Sequence, residues 1–294
     1  MCDTGKIMAL PMSILRGRTD IAAHASNHLC QPVPDIRPFS DSVPSLTLEL
    51  VHILGVCHAA RNIGTRLVQD ACIRQSAPRR NCDGIDGAMT TTVEVEEALR
   101  RVGREDDSRI DLAEAALMLA AFGRPDAPVD PYRDHLGRLA VETAEAVSGA
   151  NSLEDKVDAV NAVLFEHHGY QGDSKSYDDM QNADLMRVID RRKGLPVALG
   201  ILYIHVARAQ GWRCDGTNFP AHFLVRLESE DAATMVDPFH GGQELDRDAL
   251  GRRLESLIGE GTELEPEYCA AVSNRAVLIR LQNNIKLRAM ESGD

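Results

Sequence analysis

The sequence predicts an α+β protein: a run of amphipathic helices, then one buried helix laid on a small antiparallel sheet. Three observations carry this. From residue 89 to Gly169 apolar residues recur at helical spacing, punctuated by Gly and Pro. Residues 197–210 are apolar on nearly every side, the pattern of a helix buried all round. From Phe223 the period drops to two, as in half-buried strands.

Residues 89–103 (MTTTVEVEEALRRVG) put Val93, Val95, Leu99 and Val102 on a mostly apolar helical face. Residues 110–122 are rich in Ala and Leu, and Gly123, Arg124 and Pro125 stop that helix. Residues 131–147 form a third helix, with Leu136, Leu139, Val141 and Ala144 spaced for burial. Ser152, with Asp155 three residues on, is a good N-cap for a fourth. That helix carries Val157, Val160, Leu164 and Phe165 and ends at Gly169. A polar loop follows over 170–182, then a short helix from Asp184 to about Arg192. Gly194 breaks it, and Pro196 suits the first turn of the next helix, where no N–H partner is needed. Gly211 ends the buried helix. Residues 223–227 and 234–237 read as strands joined by the polar stretch 228–233, and 238–242 (PFHGG) is a turn.

Composition limits the function. The chain has 294 residues, 44% hydrophobic and 26% charged, as in soluble globular proteins. Net charge is −13, unevenly spread: residues 1–88 hold 9 basic and 8 acidic side chains, residues 89–294 hold 23 and 37. An acidic domain repels a phosphate backbone, so nucleic acid is not an expected partner. There is no apolar run of membrane-spanning length and no signal-peptide pattern, so a cytoplasmic location and no membrane partner are expected. Seven cysteines, none in a CxxC pair, argue against a disulfide framework and a zinc cluster. Residues 1–88 mix prolines with scattered Cys and His, and only 46–68 could form an amphipathic helix. We read 1–88 as an uninformative extension with Met89 as the expected true start, 89–170 as a helical lead-in and 171–294 as the core.

The chemistry centres on two residues. His222 opens the first strand and Asp237 closes the second, so an antiparallel hairpin sets them side by side. A carboxylate beside an imidazole orients a general base, or simply ties two strand ends together. A metal held by His222, Asp237 and His240 would depend on loop geometry alone, and neither metal nor cofactor is expected. His167 and His168 read as favourable charge at a helix end, and His205 as a satisfied core residue.

The order of a buried helix, a strand with His and a strand with Asp resembles the transglutaminase and papain-like thiol enzymes. Those enzymes begin the helix with G-x-C, and their Cys is the nucleophile. Aligned on Gly194, the helix overlays theirs without a gap, and the cysteine position is Pro196. A narrower resemblance is to the SirB-type proteins, described as regulators of sirC expression. It rests on DRRKGLPVALGILYIHVARAQGW, FPAHFLVRL and VDPFHGG and covers roughly residues 91–290. It implies a helical lead-in followed by a transglutaminase-like core. Those relatives often carry Ser just after the Pro, where Ala198 stands here, and C-terminal tetratricopeptide helices, which are not expected in this chain.

Proline supplies no nucleophile, and losing a triad nucleophile costs on the order of 10⁶ in kcat. The resemblance therefore implies a non-catalytic binding or regulatory module with a protein or peptide partner. Its vestigial cleft would be lined by Asn182, Arg191, Arg192, Gly194, Pro196, Phe219, Pro220, Phe239, Gly241 and Gly242. The alternative is a thiol- or water-dependent amide hydrolase or acyl transferase, with His222 and Asp237 as its base pair. Cys214, eight residues before His222, is the one candidate substitute nucleophile, and its ordinary reading is a small buried hydrophobe.

Overall fold

The computed structural model describes residues 91–147 and 152–292. The extension 1–88, its possible helix over 46–68 and the start at Met89 lie outside the described residues. Helix α1 is Thr92–Val102, opened by a capping box in which Thr91 and Glu94 satisfy each other's backbone N–H. Helix α2 (Leu112–Gly123) starts on Asp111, whose carboxylate accepts from the N–H of Ala113 and Glu114. Helix α3 is Asp130–Ala146. Helix α4 (Leu153–Asn161) starts at the expected capping box of Ser152 and Asp155. Helix α5 is Leu185–Arg191. Helix α6 (Pro196–Ala209) is the expected buried helix, with Pro at its first position. Helices α7 (Arg247–Ile258) and α8 (Asn274–Ser292) follow the sheet.

The sheet has four antiparallel strands in the order β3 (Arg213–Gly216), β4 (Val225–Glu228), β5 (Ala233–Asp237) and β6 (Gln243–Leu245). The periodicity located β4 and β5 but was too short to show β6. A two-residue parallel pair, β1 (Gln171–Gly172) with β2 (Lys193–Gly194), was equally illegible.

One large core joins the helices to one face of the sheet, through Leu117, Leu139, Leu202, Val225, Leu227 and Val236 among others. A smaller core lies on the other face, where Phe219, Leu224, Met235 and Leu245 meet Leu250 and Leu254 of α7. The approach of α6 to the sheet is set by glycine. A Cβ on Gly200 would lie 2.3 Å from the Phe223 ring, and one on Gly216 would lie 2.6 Å from it. The ring of Phe223 is thus clamped between helix and strand.

Two expectations fail on side-chain placement. Val93 is 65% exposed and Val141 is 59% exposed, and Ala144 is exposed as well. In α1 and α3 the buried stripe is narrower than the periodicity suggested, limited to Val95 and Leu99, and to Leu136, Leu139 and Thr143 with His135. The fourth helix also changes character. Its last turn, Ala162–His167, is a π-turn, closed by the His168 N–H donating to the Val163 carbonyl at 3.0 Å.

Candidate functional site

Asp237 is fully buried at the end of β5 and gathers donors from four directions. Nε2 of His222 lies 3.0 Å from both of its carboxylate oxygens. The backbone N–H of Phe239 donates to Oδ1 at 3.1 Å. Nδ1 of His240 lies 2.8 Å from Oδ2, and Nη2 of Arg253 lies 3.1 Å from the same oxygen. Burial alone would raise the carboxyl pKa. The hydrogen bonds of His222 and His240 outweigh it and hold Asp237 well below the usual carboxylate range. An ionised carboxylate only accepts, so Nε2 of His222 and Nδ1 of His240 carry the protons. Nδ1 of His222 makes no hydrogen bond to a described residue.

His222 is held in place from the backbone outward. Ala221 before it has φ 55°, a left-handed conformation that few non-glycine residues adopt. Phe223 after it is the clamped ring. The His222 carbonyl accepts from Nη2 of Arg280 at 2.8 Å, and that guanidinium also lies over the Phe223 ring. Sequence reasoning missed Arg280 and Arg253 because α7 and α8 follow the sheet, with no local spacing to link them to His222.

The start of α6 reaches the same place through β1 and β2. Gly194, two residues before Pro196, pairs with Gly172, and a Cβ on Gly172 would collide with the Phe239 ring at 2.6 Å. Phe239 in turn meets His222 edge to face at 6.1 Å and Tyr177 at 5.9 Å. The first N–H groups of a helix have no partner within it, and Pro196 contributes none.

The remaining expected residues divide. Asn182 is buried and braces the 173–182 loop, donating to the carbonyls of Ser176 and Tyr177 and accepting from Arg191 at 3.1 Å. Arg191 also pairs with Asp173 at 3.0 Å. Arg192 turns away, to the Tyr170 hydroxyl and to His135 of α3. Phe219 lies in the smaller core on the far face of the sheet. Pro220 adjoins Ala221. Gly241 has open space around it, whereas Gly242 is hemmed in by Asn161, whose Nδ2 donates to its carbonyl at 3.0 Å.

Cys214 does not reach this site. It is 1% exposed on β3, opposite Leu227, with its side chain in the large core. Burial pushes its thiol pKa strongly up, the opposite of an activated nucleophile. A depression of about 510 Å³ also lies elsewhere, beside α1. It is lined by arginines, of which Arg100 and Arg109 are already paired with Glu96 and Glu105.

A buried helix opening on Pro196 and a His–Asp pair beside a small antiparallel sheet are the arrangement expected of a transglutaminase-like core. The chain belongs to the transglutaminase-like superfamily, whose family model matches residues 130–283. It is 36% identical over 185 residues to a UPF0162 protein of Xylella fastidiosa, covering 61% of this chain and 65% of that one. A UPF0162 protein of Vibrio cholerae is 28% identical over 177 residues, covering 60% of this chain and 65% of that one. The match thus spans just under two thirds of these relatives. The expected kinship with the SirB-type proteins holds. F-box only protein 21 of Mus musculus is 30% identical over 137 residues, covering 44% of this chain and 21% of that one. No solved structure matches the chain.

Proposed function

We propose that this chain is a non-catalytic transglutaminase-like module that binds a protein or peptide segment where the start of α6 meets the His222–Asp237 turn. The observation that carries this is Pro196 at the first position of α6, together with the burial of Cys214. Neither residue can supply a thiolate there. The match to one fifth of F-box only protein 21 supports a domain that recurs inside longer chains.

A second reading keeps chemistry: a water-dependent amide hydrolase with His222 as base. It is favoured by the free Nδ1 of His222 opposite an Nε2 held by Asp237, the arrangement that orients a general base. One experiment separates the two. The full chain and its His222→Ala variant are offered an amide and peptide library, and both turnover and binding are scored. We expect no turnover by either protein, and a bound peptide class whose affinity falls about tenfold, or about 1.4 kcal/mol, in His222→Ala. Turnover that vanishes in His222→Ala would establish the hydrolase. Binding indifferent to His222 would remove this surface from consideration.

A further inference from the structure

On the helical half, far along the chain from Asp237, two imidazoles converge on one carboxylate oxygen. Oε2 of Glu142, on α3, lies 2.6 Å from Nε2 of His168 and 3.0 Å from Nδ1 of His167. The three ligand atoms all lie within 4.8 Å of one another. The π-turn makes this possible. Its wider ring of backbone hydrogen bonds sets consecutive side chains closer in direction than an α-turn does, so neighbouring histidines aim at one point.

We propose that Glu142, His167 and His168 form a site for a zinc-class divalent cation. Two imidazoles and a carboxylate are a donor set such ions favour, with a fourth position left to water. Ligands at 2.0–2.1 Å from a tetrahedral ion stand about 3.3 Å apart, so the contacts observed at 2.6 and 3.0 Å would open by about 0.7 and about 0.3 Å. The side chain of His167 is 69% exposed, which gives the ion a path in.

The other cluster of this composition, His222 with Asp237 and His240, is a poorer host. There the guanidinium of Arg253 already lies 3.1 Å from the ligand oxygen, and a second cation would have to displace it. Among the described residues no Lys or Arg pairs with Glu142; its partners are the two histidines. A cation here would tie α3 to the end of the π-turn. It would thereby fix Gly169 and Tyr170, the lead into β1, which sits against Phe239 beside His222.

The test titrates zinc chloride into the full chain and into His168→Ala and Glu142→Gln by calorimetry, after treatment with a chelator. Glu142→Gln keeps the side-chain volume, and circular dichroism verifies that both variants fold. We expect one zinc equivalent that His168→Ala loses. Glu142→Gln should weaken it at least tenfold, the lower end of what loss of a ligand's supporting partner costs. Wild-type melting temperature should rise with zinc and return on chelation, as that of His168→Ala should not. Identical isotherms in all three proteins would overturn the proposal. Binding lost in His240→Ala but retained in both variants would move the site to the other cluster, and would overturn it equally.

Discussion

Among the described residues, two triplets set a carboxylate between two imidazoles. Asp237 is fully enclosed, with Arg253 and the Phe239 N–H completing its shell. Glu142 lies nearer the surface of α3, paired with His167 and His168 at the end of a π-turn. The same chemical groups therefore serve different ends. Where water is excluded, every lone pair has to be met from the protein, and the donors come from the segment before β4, the turn after β5 and α7. Where water is near, the carboxylate can leave positions open, and open positions are what a ligand requires.

The sharpest way to break this contrast is to remove each carboxylate in turn. Asp237→Ala leaves two imidazoles, a guanidinium and a backbone N–H facing a hole. It should cost about 3–5 kcal/mol of stability in urea unfolding. A loss under about 1 kcal/mol would mean that the enclosed shell does not act as one network. Gly200→Ala should come next, at about 1–3 kcal/mol, because the new methyl group meets the clamped Phe223 ring and α6 must move off the sheet. Glu142→Gln, in metal-free buffer, should cost less than about 1 kcal/mol, since its pairs are screened by solvent.

Acidity sharpens the same comparison. His135, buried beside His168 with ring centroids 5.3 Å apart, has its pKa pushed down to about 4. Burial is the main cause, followed by the nearby Arg192, His168 and Arg138, with Glu142 opposing them. Its folded pKa lies below the unfolded value near 6.5, so the unfolded chain binds the extra proton first. Stability should therefore fall as pH drops from about 6.5 to about 4, and His135→Gln should flatten that limb of a pH series of urea midpoints. The smallest expected effect is on thiol labelling. Cys214 should react with an alkylating reagent only as fast as the chain opens, equally in wild type and His222→Ala, with mass spectrometry locating the label. Rapid labelling that slowed in His222→Ala would show an activated thiol and end the non-catalytic reading.

Much of the fold was legible. The capping box at Ser152, the all-apolar run of α6 and the alternation in β4 and β5 are signals contained within a few residues. So was the pairing of His222 with Asp237, because a hairpin brings its own ends together. The failures share a cause. Val141 and Phe219 are apolar residues whose side of the helix or sheet depends on what another element covers. Arg192 is a cation whose partner, His135, is 57 positions away.

By itself, the sequence determined the main helices, the hairpin of β4 and β5 and the proline that opens α6, since each is decided by residue type within a few positions. Only the tertiary structure decided what surrounds Asp237, where Cys214 points and that Glu142 meets two adjacent histidines. Those outcomes depend on segments far apart in the chain packing against one another, as Glu142 and His168 do across 26 positions, and burial, rather than spacing, selects which polar groups must meet.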